Sequence, residues 1–136
     1  MTTLFPVTRM LDTVLNGALD NWTDGEHVSH FVPRADVLEG EKEYRIVMDL
    51  PGVTAESLEV NLEGQELSVK AVKDNQVPEG FQVRRHERSA RMEFNRSFTL
   101  GNAVDAEKIE ASLTDGVLRI SLPKSEVSLP RRIQVR

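Results

Sequence analysis

The chain of 136 residues contains no cysteine and no long apolar run. The lack of cysteine excludes disulfides and thiolate metal sites and is compatible with a reducing compartment, so we expect a cytoplasmic protein. No stretch of about 18 apolar residues occurs, and the first twenty residues lack an apolar core of signal-peptide length. A transmembrane segment and secretion are therefore disfavoured. Hydrophobic residues still make up 39% of the chain, which is enough for one folded domain with arms.

Motifs of catalysis are missing as well. The sequence has no Gly-rich phosphate loop, nucleophile elbow or zinc-binding helix motif. His27 and His30 stand three residues apart in a polar stretch without a third ligand nearby, so a chance pair is favoured over a metal site. His86 lies among arginines, whose charge would resist a cation. We therefore predict no enzyme activity, no cofactor and no bound metal.

Charge is distributed unevenly along the chain, whose formal net charge is −5. Residues Ala35–Val83 hold eleven acidic and four basic side chains, whereas Arg84–Arg96 holds five arginines against two glutamates. An acidic body with basic segments is the pattern expected if copies of the chain bind each other by charge complementarity. A solvated mixed-charge surface explains the counts equally well.

Near the start of the chain, apolar residues recur at three- and four-residue spacing, which predicts an amphipathic helix over Leu4–Trp22. The polar stretch Thr23–His30 has no period of either kind and indicates a linker. The apolar face of this arm either packs on its own body or binds unfolded chains, as exposed apolar patches do. The candidate client-binding residues are Leu4, Phe5, Val7, Leu11, Val14, Leu15, Leu19 and Trp22.

Residues 33–123 alternate between apolar and polar positions in several short segments, which is the period of half-buried strands. The breaks between segments suit tight turns, among them Pro51-Gly52, Glu63-Gly64-Gln65 and Asp115-Gly116. Between Lys73 and Ala90 the alternation stops, and we expect a long excursion with room for one short edge strand. Six or seven short strands without a helical period predict an all-β protein, an antiparallel β-sandwich.

Arg96 interrupts an apolar face, since period two places it beside Met92, Phe94, Phe98 and Leu100. One interpretation is a guanidinium at the sheet margin with its stem packed and its head in water. The other is an arginine paired at a subunit contact, because an unpaired buried charge costs about 3–5 kcal/mol.

The end of the chain carries Ile133 and Val135, which one residue separates, so both lie on one face of an extended strand. Such a strand can pad its own domain or dock on the exposed sheet edge of a neighbour. Pro130 in the tether and the terminal position favour docking on a neighbour.

Several segments carry recognisable motifs. The hairpin from Ala111 to Pro123 has the sequence Ala-Ser-Leu-Thr-Asp-Gly-Val-Leu-Arg-Ile-Ser-Leu-Pro, which is similar to the signature of the α-crystallin domain of small heat-shock proteins. Asp49–Val53, Glu87–Ser89 and Phe94–Leu100 resemble bacterial and plant members, and Ile133–Val135 resembles the family's C-terminal isoleucine-x-isoleucine/valine motif. The resemblance covers about Val32 to the end. Two positions depart from the family: Gly101 replaces a usual proline, and only Arg136 follows the motif.

This resemblance implies three regions: a variable, partly helical arm at 1–31, an immunoglobulin-like sandwich at 32–123 and a C-terminal extension at 124–136. It also implies that the excursion crosses to a partner and adds a strand to its sheet. The C-terminal motif of the family fills a groove between its fourth and eighth strands, which correspond here to Leu58, Val60 and Leu62 and to Ile109, Ala111 and Leu113. Arg96 matches an arginine linked to assembly, which favours the interface interpretation. The oligomer-interface residues so implied are Leu58, Val60, Leu62, Phe81, Val83, Arg84, Arg85, Arg96, Ile109, Ala111, Leu113, Ile133 and Val135.

The function implied by the resemblance is that of an ATP-independent chaperone, a holdase of the stress response that keeps unfolding proteins soluble. Its expected partners are other copies of the chain, as dimers and larger homo-oligomers, and unfolded clients, with no nucleic acid. One rival is a nucleic-acid-binding protein that uses the arginine-rich segment Arg84–Arg91. Another is a co-chaperone adaptor of the same sandwich class, which should be monomeric and need a defined partner.

Overall fold

A computed structural model describes residues 28–126 and 131–136. Within these residues, eight strands form two four-stranded sheets, in the order β1-β6-β5-β4 and β2-β3-β8-β7. The all-β sandwich is thus confirmed, whereas the predicted helix Leu4–Trp22 lies outside the described residues. The strands are β1 Val28–Phe31, β2 Ala35–Glu39, β3 Glu43–Asp49, β4 Leu58–Glu63, β5 Glu66–Asp74, β6 Arg91–Thr99, β7 Glu110–Thr114 and β8 Val117–Pro123, with short 3-10 helices at Ala55–Ser57 and Ala106–Lys108.

The core lies between the central strands β3 and β8 of one sheet and β5 and β6 of the other. Alternate side chains of these strands point inward, so that Ile46 pairs with Ile120 across β3 and β8 while Val69 faces them from β5. Burying each large apolar side chain contributes about 1.5–3 kcal/mol. The buried hydrophobic residues are Ile46, Met48, Leu50, Val53, Leu67, Val69, Ala71, Phe94, Leu118, Ile120 and Leu122.

The hairpin of β7 and β8 turns on Asp115 and Gly116, whose φ angles are 54° and 74°. Both angles are positive, as a type I′ turn requires, so the predicted two-residue turn is confirmed. Gly116 O also accepts a hydrogen bond from Leu50 N at 2.7 Å, and a Cβ at Gly116 would lie 3.4 Å from Leu50 O. Glycine therefore serves both the turn and the close approach of Leu50, the residue after β3.

The first two strands are where the structure differs from the sequence prediction. The predicted linker Thr23–His30 is wrong from Val28 onward, because Val28–Phe31 form β1 and pair in parallel with Arg91–Phe94 of β6. The centroids of the Phe31 and Phe94 rings are 5.8 Å apart. Both β1 and β2 lie at sheet edges and are mostly exposed, so neither shows the inside-outside alternation that marks a half-buried strand.

Candidate functional site

The candidate site is the set of four sheet edges, formed by β1 and β4 in one sheet and β2 and β7 in the other. Only Val32–Arg34 separate β1 from β2, so these two edges lie on the same side of the sandwich and β4 and β7 lie on the opposite side. An edge strand presents unpaired backbone N–H and C=O groups, to which another extended chain can add.

The edges formed by β4 and β7 carry partly exposed apolar side chains. Leu58, Val60 and Leu62 on β4 are half-buried and pack against the core, as do Ile109, which precedes β7, and Leu113. Ala111 is exposed. Alternation places the β4 side chains on one face, so the two edges present apolar surface to the space between the sheets. Their role in assembly stays a prediction.

Ile133 and Val135 do not pack on the body of their own chain, since their exposed fractions are 85% and 94%. The flanking Arg131, Arg132 and Arg136 are exposed as well. The alternative in which this segment pads its own domain therefore has no support here. Two almost fully exposed β-branched side chains favour docking on another molecule.

Arg96 has an acceptor within its own chain. Its Nη1 donates to the carbonyl oxygen of Pro33 at 2.8 Å, and its guanidinium carbon lies 5.2 Å from the centroid of the Phe98 ring. Pro33 is buried and stands between β1 and β2. Arg96 thus ties the centre of one sheet to the connection between the sheets, and its predicted role at a subunit contact stays a prediction.

The excursion between β5 and β6 contains no strand over residues 75–90. Its base is closed by hydrogen bonds from Asn75 N to Ala90 O at 2.8 Å and from Asn75 Nδ2 to Ser89 O at 2.6 Å. Its tip presents Phe81 and Val83, which are 73% and 49% exposed. The loop is therefore anchored at its base and exposes two apolar side chains near its tip.

One contact that the sequence did not predict joins Lys124, directly after β8, to Glu39 at the end of β2. The Nζ–Oε1 distance is 2.9 Å, and Nζ lies 5.0 Å from the centroid of the Tyr44 ring. The hydrogen bond from Lys124 and its positive charge lower the pKa of Glu39, and the same hydrogen bond raises the pKa of Lys124. Because 85 residues separate Glu39 from Lys124, no local sequence pattern could predict that they form a pair.

A cavity of about 510 Å³ opens beside this contact, between the ends of the sheets. Tyr44 and Leu122 line it from one sheet, and Phe98 and Leu100 from the other. Most of its lining residues are apolar, and none of those that the structure describes there is charged.

Metal ligation finds no support in the part of the chain that the structure describes. Within residues 28–126 and 131–136, no three His, Cys, Asp or Glu side chains gather as ligands. The Nδ1 of His30 instead lies 3.3 Å from Oε2 of Glu93 on β6, whereas His27 is outside the described residues. The same residues contain no helix long and apolar enough to cross a membrane.

Comparison with known proteins agrees with the fold and with the resemblance. Residues 36–136 match the model of the Hsp20/alpha crystallin family. The chain is 36% identical over 129 residues to Spore protein SP21 of Stigmatella aurantiaca, covering 86% of this chain and 76% of that protein.

Two solved structures extend this comparison. A small heat-shock protein from Xylella fastidiosa is 36% identical, with a TM-score of 0.60 over 78% of this chain and 97% of that one. Heat shock protein 16.0 from Schizosaccharomyces pombe is 31% identical, with a TM-score of 0.61 over 78% and 99%. The resemblance is thus confirmed, and the chain belongs to the Hsp20/alpha crystallin family of small heat-shock chaperones.

Proposed function

We propose that this chain is an ATP-independent holdase of the cytoplasm, which binds unfolding polypeptides and works from a dimer-based oligomer. One observation supports assembly most: Ile133 and Val135 are exposed, while β4 and β7 present apolar side chains that residues 28–126 and 131–136 leave only half-buried. A segment with two apolar side chains on one face matches such an edge, because backbone pairing supplies affinity and pockets supply selectivity.

Dimers form in this proposal through the edge of β2. Val37 and Leu38 of that strand are 60% and 52% exposed, and its outer edge has no neighbour among the described strands. The tip of a partner's excursion carries Phe81 and Val83 on one face if it becomes extended. Asp36 on β2 is exposed. Its negative charge would attract the positively charged Arg84 and Arg85, which follow Val83 in that tip.

Client binding follows when subunits separate. The apolar face of residues 4–22 and the surface between β4 and β7 become accessible once neighbouring segments leave. Exposed apolar surface binds unfolded chains without sequence choice. Such a protein needs neither nucleotide nor cofactor, since client capture uses burial of apolar area alone.

The nucleic-acid-binding alternative is weakened by the ion pairs that its arginines form within their own chain. Arg85 Nη2 lies 2.7 Å from Glu87 Oε1, and Arg91 Nη1 lies 3.5 Å from Asp74 Oδ1. Acidic side chains of the same chain therefore offset part of the positive charge of this arginine-rich segment. Nucleic-acid affinity depends on cations that are available to phosphates. A salt titration with random single strands tests this directly, and saturable binding at low salt would favour the alternative.

The decisive experiment heats an aggregation-prone enzyme with the full chain, without ATP, and follows turbidity. An unrelated β-sandwich at equal mass is the control for unspecific protection. We expect suppressed light scattering and a soluble complex of chaperone and client in gel filtration. Undiminished aggregation at equal mass contradicts the holdase proposal. Sedimentation of the chain alone tests the oligomer separately.

A further inference from the structure

We propose that Glu39 and Lys124 form a clamp that couples pairing of the β2 edge to the direction in which the C-terminal segment leaves the domain. Lys124 is the first residue after β8, and Glu39 is the last residue of β2. Because the inference assigns β2 and the C-terminal segment their places in assembly, it rests on the proposed function. Both residues are positioning residues in this view.

The side-chain contact is well formed for a pair at the domain surface. The Lys124 side chain is only 12% exposed, although Glu39 is 61% exposed. Its methylene stem is covered while its ammonium group reaches Glu39 at 2.9 Å and the face of Tyr44 at 5.0 Å. A lysine held by both a carboxylate and an aromatic face has less rotamer freedom than a solvated one.

Backbone contacts already hold the root of the C-terminal segment on two sides. Lys124 N donates to Lys42 O at 2.8 Å, and Ser125 N donates to Ala103 O at 2.7 Å. A β-bridge joins Val104 to Lys124. These bonds attach the root to the β2–β3 turn and to the loop before β7. The Glu39 contact extends the attachment to β2 itself.

This arrangement links two events that occur at different places. A strand added to β2 reduces fraying of that strand, keeps Glu39 in place and thereby favours one position of Lys124. The segment that begins at Lys124 then leaves in a narrower range of directions, so less conformational entropy is lost when Ile133 and Val135 dock. Such coupling is reciprocal, so docking of the segment also favours pairing of β2.

The direction of the segment can be measured by pulsed electron paramagnetic resonance. Since the chain has no cysteine, Asn95→Cys and Glu126→Cys introduce two unique label sites, both at exposed positions. Labelled chains are diluted with unlabelled ones to isolate distances within one subunit. We expect Lys124→Met, which keeps the stem and removes the charge, to broaden the distance distribution. Arg119→Met, at an exposed arginine of β8 that pairs with neither label site, is the control and should leave it unchanged.

Assembly is measured on the same variants by sedimentation. We expect Lys124→Met to weaken association beyond the dimer by about fivefold, the lower end for coupling between sites. Glu39→Lys and Lys124→Glu should each do the same, and the double exchange should recover most of the assembly. Circular dichroism checks that each variant is folded.

The outcomes separate the two proposals. If the unmodified chain is monomeric, the proposed oligomer is wrong and the coupling is wrong with it. If the chain assembles but Lys124→Met changes neither the distance distribution nor the sedimentation profile, the clamp alone is overturned. A double exchange that is no better than the single variants also overturns it, because recovery requires the two charges to face each other.

Discussion

Replacing both exposed apolar side chains of the C-terminal segment is the most direct test of how the chain assembles. Ile133→Ala removes three carbons and Val135→Ala removes two, at about 0.8 kcal/mol for each buried CH₂. Their exposed fractions of 85% and 94% in the free chain mean that nearly all of this surface is available for burial on a neighbour. The loss is therefore about 4 kcal/mol for each docked segment if both side chains become fully buried.

That loss corresponds to almost three orders of magnitude in the association constant, since about 1.4 kcal/mol is a factor of ten. We expect sedimentation velocity of the double variant to show dimers where the unmodified chain forms larger oligomers. Its thermal unfolding should be nearly unchanged, because these side chains do not pack on their own domain.

Gln134→Ala is the matched control, as residue 134 lies between the two and points to the opposite face of an extended strand. It should leave the oligomer intact. If the double variant sediments like the unmodified chain, the docking argument is refuted, whatever its effect on unfolding. An unfolding temperature that falls together with the oligomer would instead indicate that the segment supports its own domain.

Three further changes test the domain itself. Arg96→Ala removes the charged hydrogen bond to Pro33 O and should lower the free energy of unfolding by about 1.5–3 kcal/mol, and an unchanged urea midpoint would contradict that contact. Leu118→Ala, at a residue 1% exposed, should lower the free energy of unfolding by about 2–5 kcal/mol in the same assay. A smaller loss would mean that neighbouring side chains fill the space that the leucine leaves. Glu39 has a pKa below its ordinary value of 4.5 because Lys124 donates to it, so its contribution is present above pH 4.5 and disappears as the pH falls through the lower value. Urea midpoints of Glu39→Gln and of the unmodified chain should then differ near neutral pH and converge in acid, and a constant difference would show that the charge is irrelevant.

The central strands were predictable because each has one face in the core. Ile46 and Met48 on β3, like Leu118 and Ile120 on β8, alternate with more exposed residues, which is the signal that period-two analysis detects. β1 and β2 could not be found in this way. Unlike the edge strands β4 and β7, neither alternates between apolar and polar residues. Each is held by backbone pairing with one neighbour, and backbone pairing leaves no mark on side-chain identity.

The candidate site was predictable to a similar extent. Ile133 and Val135 were identified from their spacing, and the structure leaves both exposed as a docking segment requires. The acceptor of Arg96 is a carbonyl oxygen, which every residue carries, so no sequence pattern could indicate it. The contact of Lys124 with Glu39 arises because β3 pairs with both β2 and β8, which places Glu39 opposite Tyr44 and Tyr44 opposite Leu122. Only the register of three strands brings the two charges together.

The composition of the β4 edge also bears on which molecule can bind there. Glu59 and Glu63 are exposed on that strand, and in an antiparallel pairing of two such edges centred on Asn61 each Glu59 would face a Glu63. Like charges directly opposite each other destabilise a strand pair, so this edge disfavours pairing with its own copy. A docked C-terminal segment would instead bring Arg131 and Arg132, whose charge is opposite, to the same carboxylates. The charges of the edge thus favour the C-terminal segment over uncontrolled association of sheets, which the proposed holdase must itself avoid.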